Sequence, residues 1–73
     1  MATRVLSEIT GNIWKIEIAD GALVAAGDLL ITMESMKMEI PVEAPAAGRC
    51  RLQVAEGESV QEGAVLAIIE PQG

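Results

Sequence analysis

The stretch from Ile18 to Glu34, IADGALVAAGDLLITME, decides the fold because an altered copy of it, VAEGESVQEGAVLAIIE, runs from Val54 to Glu70. The copies lie 36 residues apart, and six of their 17 aligned pairs are identical: Ala19/Ala55, Gly21/Gly57, Val24/Val60, Gly27/Gly63, Leu30/Leu66 and Glu34/Glu70. A chain this short buries only about 60% of its unfolded surface, so neither half can form a core alone. The repeat therefore predicts two similar halves that pack on each other about a pseudo-twofold axis.

The apolar residues of both halves follow the spacing of β-strands. Apolar and polar side chains alternate over residues 14–18 and 50–54, whereas residues 29–33 and 65–69 are short apolar runs typical of buried strands. Trp14, the only aromatic residue, is predicted to lie in the core. We expect an all-β domain of two facing sheets with about four strands in each half. Glycines between the strands are predicted to supply positive φ angles for turns: Gly11, Gly21, Gly27, Gly48, Gly57 and Gly63.

Composition excludes several classes of function. The chain has no histidine and a single cysteine, Cys50, so zinc sites of the usual ligand types, Cys–His catalysis and an intrachain disulfide are not expected. Cys50 is predicted to be a small apolar strand residue. The net charge of −6 disfavours nucleic acid and anionic membrane surfaces as partners. Without a signal sequence or a spanning apolar run, we expect a free-standing cytoplasmic monomer.

Lys37 occupies a position that the repeat makes unique. The 36-residue shift carries it to Gly73, at the end of the chain, so the hairpin predicted between the two halves has no counterpart. Met36 and Met38 flank this lysine, at a turn where Gly, Asn or Asp is usual. A primary amine on a rigid hairpin is an accessible nucleophile for an activated acyl group. An ordinary solvated lysine between two core methionines remains the alternative interpretation of the pattern.

The segment Met36-Lys37-Met38 resembles the Ala/Val-Met-Lys-Met signature of the biotinyl domains of biotin-dependent carboxylases. The resemblance extends from about Gly11 to Glu70, through the opening at residues 11–14, the turns at residues 20–21 and 27–28, and the Ala-Pro-Ala-Ala-Gly segment at residues 44–48. Within this family, the resemblance points to the free-standing biotin/lipoyl attachment proteins, which are little more than this one domain. It departs from the signature at Ser35, where many biotinyl domains carry Ala or Val.

The resemblance implies a flattened barrel-sandwich that spans residues 1–73 and carries biotin covalently on Lys37. A biotin protein ligase would attach the group, a biotin carboxylase would carboxylate it, and a carboxyltransferase would receive the carboxyl group. The domain itself would be a non-catalytic carrier with no metal site. Five neighbours of Lys37 are expected to be recognised by partner enzymes: Met36 and Met38 as flanking residues, and Glu34, Ser35 and Glu39 on the ligase-facing hairpin.

Two alternative functions stay open at this point. A lipoyl carrier of the same fold would also use Lys37, but lipoyl domains usually place an acidic residue directly before the lysine, where this chain has Met36. An unmodified structural adaptor would need neither the lysine nor its methionines. The mass of the protein expressed with its own ligase distinguishes these three cases.

Overall fold

The computed structural model of the protein describes residues 1–72, and Gly73, the counterpart of Lys37 in the repeat, lies outside them. Two four-stranded antiparallel sheets form the structure, one in the order β1-β8-β6-β3 and the other in the order β5-β4-β2-β7. All-β architecture is therefore confirmed. The strands are β1 Thr3–Leu6, β2 Gly11–Ile16, β3 Leu23–Val24, β4 Leu29–Ser35, β5 Met38–Glu43, β6 Gly48–Leu52, β7 Ser59–Val60 and β8 Val65–Glu70.

The two halves of the chain are interleaved, which differs from a simple stacking of one half on the other. Strands β1 to β4 come from the first half, yet β1 and β3 lie in one sheet while β2 and β4 lie in the other. One sheet order becomes the other when each strand is exchanged for the strand four places away in the chain, so that the pairs are β1/β5, β2/β6, β3/β7 and β4/β8. The topology thus has the predicted pseudo-twofold symmetry, and each half contributes two strands to each sheet.

Backbone hydrogen bonds repeat in pairs across this pseudo-symmetry. The amide of Gly27 donates to the carbonyl of Ala44 at 2.8 Å, and the amide of Gly63 donates to the carbonyl of Ser7 at 2.7 Å. Both glycines have positive φ, at 92° and 90°. A left-handed backbone lets each turn make this bond, and glycine is the residue that adopts it without steric cost. The prediction of positive φ at these two turns is confirmed.

The core lies between the two sheets and consists of aliphatic residues from both halves. Its largest fully buried side chains are Ile13, Leu30, Ile31, Met33, Leu66, Ile69 and Cys50. Burial raises the pKa of the Cys50 thiol, because the charged thiolate would lose its hydration there. Cys50 is therefore a small apolar core residue, as the sequence predicts.

The prediction that Trp14 belongs to the core is wrong, since 52% of its surface is exposed. The register between β2 and β4 shifts between Ile13 and Lys15, so Trp14 is an extra residue in a β-bulge. A bulge re-aims the side chains on either side of it. Ile13, which is 0% exposed, therefore takes the core position that strict alternation assigned to its neighbour.

Two of the predicted turn glycines begin strands instead. Gly11 is not among the positive-φ glycines, and it starts β2. A Cβ atom there would lie 2.7 Å from the backbone oxygen of Glu34. Gly48 starts β6 with φ 154°, and its Cβ would fall on the backbone oxygen of Glu70. Both glycines are needed because a neighbouring strand approaches the backbone closely.

The first and last strands are neighbours, with Thr3 opposite Ile69 in the β1–β8 pair. Under the pseudo-symmetry, this junction of chain ends corresponds to the connection between β4 and β5. The domain is elongated, with principal extents of 39 × 19 × 18 Å. β2 starts beside Glu34, near the β4–β5 connection. Further along the chain, Leu23 lies beside Arg49. Arg49 in turn pairs with Glu70, near the end of the chain. The two ends of the chain therefore lie opposite the β4–β5 connection.

Candidate functional site

The connection between β4 and β5 is a two-residue hairpin with Lys37 at its tip. Ser35 pairs with Met38, which leaves only Met36 and Lys37 in the loop. Their φ angles are 53° and 65°. Positive φ at both central residues is characteristic of a type I′ turn, whose twist matches that of the two flanking strands. The lysine thus sits at the end of a regular antiparallel ladder, so its backbone is rigidly placed.

The residues in this turn are unusual for its geometry. Asn-Gly and Asp-Gly are the common pairs in type I′ turns, because other side chains crowd the backbone at positive φ. Left-handed geometry costs an ordinary residue about 1–2 kcal/mol. Among residues 1–72, Met36 and Lys37 are the only non-glycine residues with positive φ. The hairpin therefore keeps these two side chains at a cost in stability.

Lys37 is exposed, and within the described chain its amine has no hydrogen bond or ion pair. Met36 and Met38 are also exposed, at 92% and 63% of their surfaces. The expectation of an accessible lysine at a hairpin tip is thus confirmed by the geometry, whereas the interpretation of Met36 and Met38 as core residues is not. Such an amine is free to attack an activated acyl group brought by another protein.

Glu34 and Glu39 face each other across the hairpin, directly below the tip. Both side chains are exposed, and like charges in opposite positions of a ladder destabilise it. Within residues 1–72 the structure contains one salt bridge, between Arg51 and Glu70, so neither glutamate is neutralised by a salt bridge. The tip therefore presents one cation with two carboxylates beneath it.

Ser35 has a different environment from the other predicted site residues. It is half-buried, and its hydroxyl donates a hydrogen bond to the carbonyl oxygen of Thr10 at 2.9 Å. This bond ties the hairpin to the segment that enters β2. Thr10 and Gly11 thus support the base of the hairpin, a role that the sequence did not suggest for either. The glycine at position 11 is the one sequence feature that marks this place, although its pattern predicts a turn.

A groove of about 490 Å³ opens between the edge strands β1 and β5. Leu6, Ile40 and Val42 contribute apolar side chains, and Arg4 and Glu43 contribute charges. The tip residues 36–38 do not line it. Lys37 therefore lies outside this groove, exposed to solvent.

Over residues 1–72, no group of three or more His, Cys, Asp or Glu side chains is arranged to hold a metal ion. The same part of the chain contains no helix long and apolar enough to cross a membrane.

The fold is a sandwich of two four-stranded sheets that presents Lys37 at the tip of an exposed two-residue hairpin. Residues 3–69 match the biotin/lipoyl family, whose description is "Biotin-requiring enzyme". The chain belongs to this family of biotin/lipoyl attachment domains, which are carriers and not catalysts.

Two relatives are themselves small proteins of similar length. The chain is 39% identical over 70 residues to the "Biotinylated protein TB7.3 homolog" of Mycobacterium leprae, covering 94% of this chain and 99% of that protein. It is 38% identical over 60 residues to the "Biotin/lipoyl attachment protein" of Bacillus subtilis, covering 81% of this chain and 82% of that protein.

Solved structures place the same domain within large enzymes. The Kluyveromyces lactis urea carboxylase matches with a TM-score of 0.89 and 37% identity over 96% of this chain, which corresponds to only 6% of that enzyme. A single-chain, multi-domain long-chain acyl-CoA carboxylase matches with a TM-score of 0.82 and 27% identity, covering 93% of this chain and 7% of the enzyme. The domain is thus homologous to parts of biotin-dependent carboxylases.

Proposed function

We propose that Lys37 is the attachment point of biotin and that the domain carries a carboxyl group between two enzymes. The observation that supports this most directly is the hairpin, a strained two-residue turn that holds an exposed lysine amine between exposed methionines. Within residues 1–72 this amine has no hydrogen bond or ion pair. The name "Biotinylated protein" of a relative of nearly equal length supports biotin as the attached group.

Attachment needs a ligase that supplies an activated acyl group. In the proposed step, the neutral amine of Lys37 attacks the carbonyl carbon of biotinyl-adenylate. The new amide bond forms, AMP leaves, and the amine loses a proton. The product has no charge at position 37, so the net charge of the domain becomes more negative by one than it is with a protonated lysine.

The carboxylation cycle then requires two further partners. A biotin carboxylase would load the ring, and a carboxyltransferase would remove the carboxyl group to an acceptor. The domain contributes position: a rigid hairpin with a flexible arm keeps the ring at a high local concentration at both active sites in turn. We propose that it does so as a monomer.

Lipoate is the second candidate for the attached group, because the family includes attachment of either group and one relative is named for both. Met36 favours biotin, since lipoyl domains usually carry an acidic residue at that place. The two candidates differ in the ligase that accepts the domain and in the mass that the domain gains.

The test is to co-express the protein with a biotin protein ligase or with a lipoyl ligase and to measure its intact mass. Wild type should gain one biotinyl group, and Lys37→Arg should gain none, because a guanidinium keeps its proton and is a poor nucleophile. Lys15→Arg is the matched control, since Lys15 is exposed on β2, and it should be modified like wild type.

The fold of Lys37→Arg should survive, with an unfolding free energy within about 0.5 kcal/mol of wild type, because the side chain is exposed. A Lys37→Arg protein that is still biotinylated would overturn the assignment of this lysine. A wild-type protein that gains neither group would overturn the carrier function.

A further inference from the structure

The methionines of this small domain lie in two contrasting environments. Met33, on β4, is 1% exposed, and the hydroxyl of Ser7 contacts its sulfur at 3.5 Å. Met36 and Met38, at the end of the same hairpin, are 92% and 63% exposed. A dissolved oxidant therefore reaches the two sulfurs beside Lys37 and is kept from the one in the core.

The exposed side chain of Met36 does little for the fold. It lies outside the buried core, and its backbone has φ 53°, where a side chain is disfavoured. Its apolar surface is therefore available to proteins that approach the hairpin. Met38 continues the row of Ile40 and Val42 on β5 but extends beyond the part of the row that packs on the core.

We propose that Met36 and Met38 form a redox-sensitive modification site, in which oxidation to sulfoxides by a hydroperoxide blocks acylation of Lys37. This inference rests on the proposed function of Lys37 as an acceptor. In the reaction, a sulfur lone pair attacks the terminal oxygen of hydrogen peroxide. An S–O bond forms, the O–O bond breaks, and water leaves after proton transfer. The sulfur is oxidised by two electrons and the peroxide is reduced by two.

Oxidation changes the surface that a ligase meets without disturbing the fold. A thioether is flexible and apolar, whereas a sulfoxide is polar, chiral and a strong hydrogen-bond acceptor. Two sulfoxides on either side of Lys37 remove the apolar contacts next to the reacting amine. Met33 stays reduced because it is buried, so the core is preserved. Sulfoxides are also reversible, because methionine sulfoxide reductases return them to thioethers.

The experiment treats the purified, unbiotinylated protein with hydrogen peroxide and maps each oxidised methionine by peptide mass. Met36 and Met38 should be oxidised well before Met33, and circular dichroism should remain that of the folded protein. A biotin protein ligase with ATP and biotin then modifies the oxidised and untreated samples. We expect the initial rate of biotinylation to fall at least tenfold in the doubly oxidised sample and to recover after treatment with the reductases.

The variant Met36→Leu/Met38→Leu is the matched control. It keeps Met1, which is fully exposed, and Met33. Whatever its own rate with the ligase, the ratio of its rates before and after peroxide should be close to one. An equal tenfold loss in this variant would show that damage elsewhere causes the effect and would overturn the proposal.

Failure of this inference and failure of the carrier function give different results. If the doubly oxidised protein is biotinylated at the untreated rate, or if Met33 is oxidised as fast as Met36, the redox site is refuted and the carrier function stands. If the untreated protein accepts no biotin, the proposed attachment of biotin is refuted together with the redox site.

Discussion

The turns at Gly27 and Gly63 and the hairpin at Met36 and Lys37 use similar left-handed backbone geometry with opposite choices of residue. The two glycines have φ near 90°, which glycine adopts without strain, and a Cβ added at either would meet nothing within 4 Å. Met36 and Lys37 adopt φ 53° and 65° with full side chains. Turns that only shape the fold thus use the residue best suited to the geometry. The hairpin keeps less suitable residues, which fits the attachment role proposed for this tip.

The largest loss of stability is expected where a glycine allows the backbone of a neighbouring strand to approach closely. Gly48→Ala should lower the unfolding free energy by about 3 kcal/mol, because a Cβ would collide with the backbone oxygen of Glu70 and force β6 from β8. Gly11→Ala, its counterpart in the first half, should cost less, since its Cβ would lie 2.7 Å from the oxygen of Glu34. Urea denaturation of both variants measures the difference. Equal midpoints for Gly48→Ala and wild type would contradict the close approach.

A smaller loss is expected at the symmetric turns. Gly27→Val and Gly63→Val should each cost about 1–3 kcal/mol, because a β-branched residue is strained at positive φ even in open space. The two losses should be similar, since the turns are equivalent. Ala26→Val, in the same turn as Gly27, is the control and should stay within about 0.5 kcal/mol of wild type. A large loss in the control would mean that crowding, and not backbone geometry, limits this turn.

The smallest effect, and the only gain, is expected at the hairpin. Met36→Asn should raise the unfolding free energy by up to about 1 kcal/mol, because asparagine tolerates the left-handed region. The same variant should slow modification of Lys37, since the apolar side chain is lost. Met36→Leu is the control for shape, with unchanged stability. Loss of stability in Met36→Asn would show that this turn is not strained, and the contrast with the glycine turns would fail.

The sequence predicted the elements that depend on local pattern and on the repeat. Gly27 and Gly63 were identifiable because the two copies place glycine between apolar runs. Lys37 was identifiable because the repeat left its position without a partner.

The environment of Trp14 could not be predicted, because it depends on a bulge. Strict alternation places Trp14 on the same face as Ile16. The extra residue between Ile13 and Lys15 breaks that alternation, and nothing in the local sequence marks it. The β2–β7 and β6–β3 pairs are equivalent, and they show where the spacing of the repeat changes. Gly11 corresponds to Gly48, 37 residues later, whereas Leu23 corresponds to Ser59, 36 residues later. A constant shift of 36 residues hides this change, because it aligns Gly11 with Ala47 instead of Gly48.

The pseudo-twofold axis has a consequence for stoichiometry. The two halves of the chain adjoin at two symmetry-related junctions, and the polypeptide is continuous through only one of them. That closed junction is the β4–β5 hairpin, while the equivalent place is where β8 ends and β1 begins. A domain with two similar halves therefore displays a single hairpin of this kind within the described residues. Under the proposed function, a partner enzyme would meet one attached group per chain, at the end of the domain opposite the chain termini.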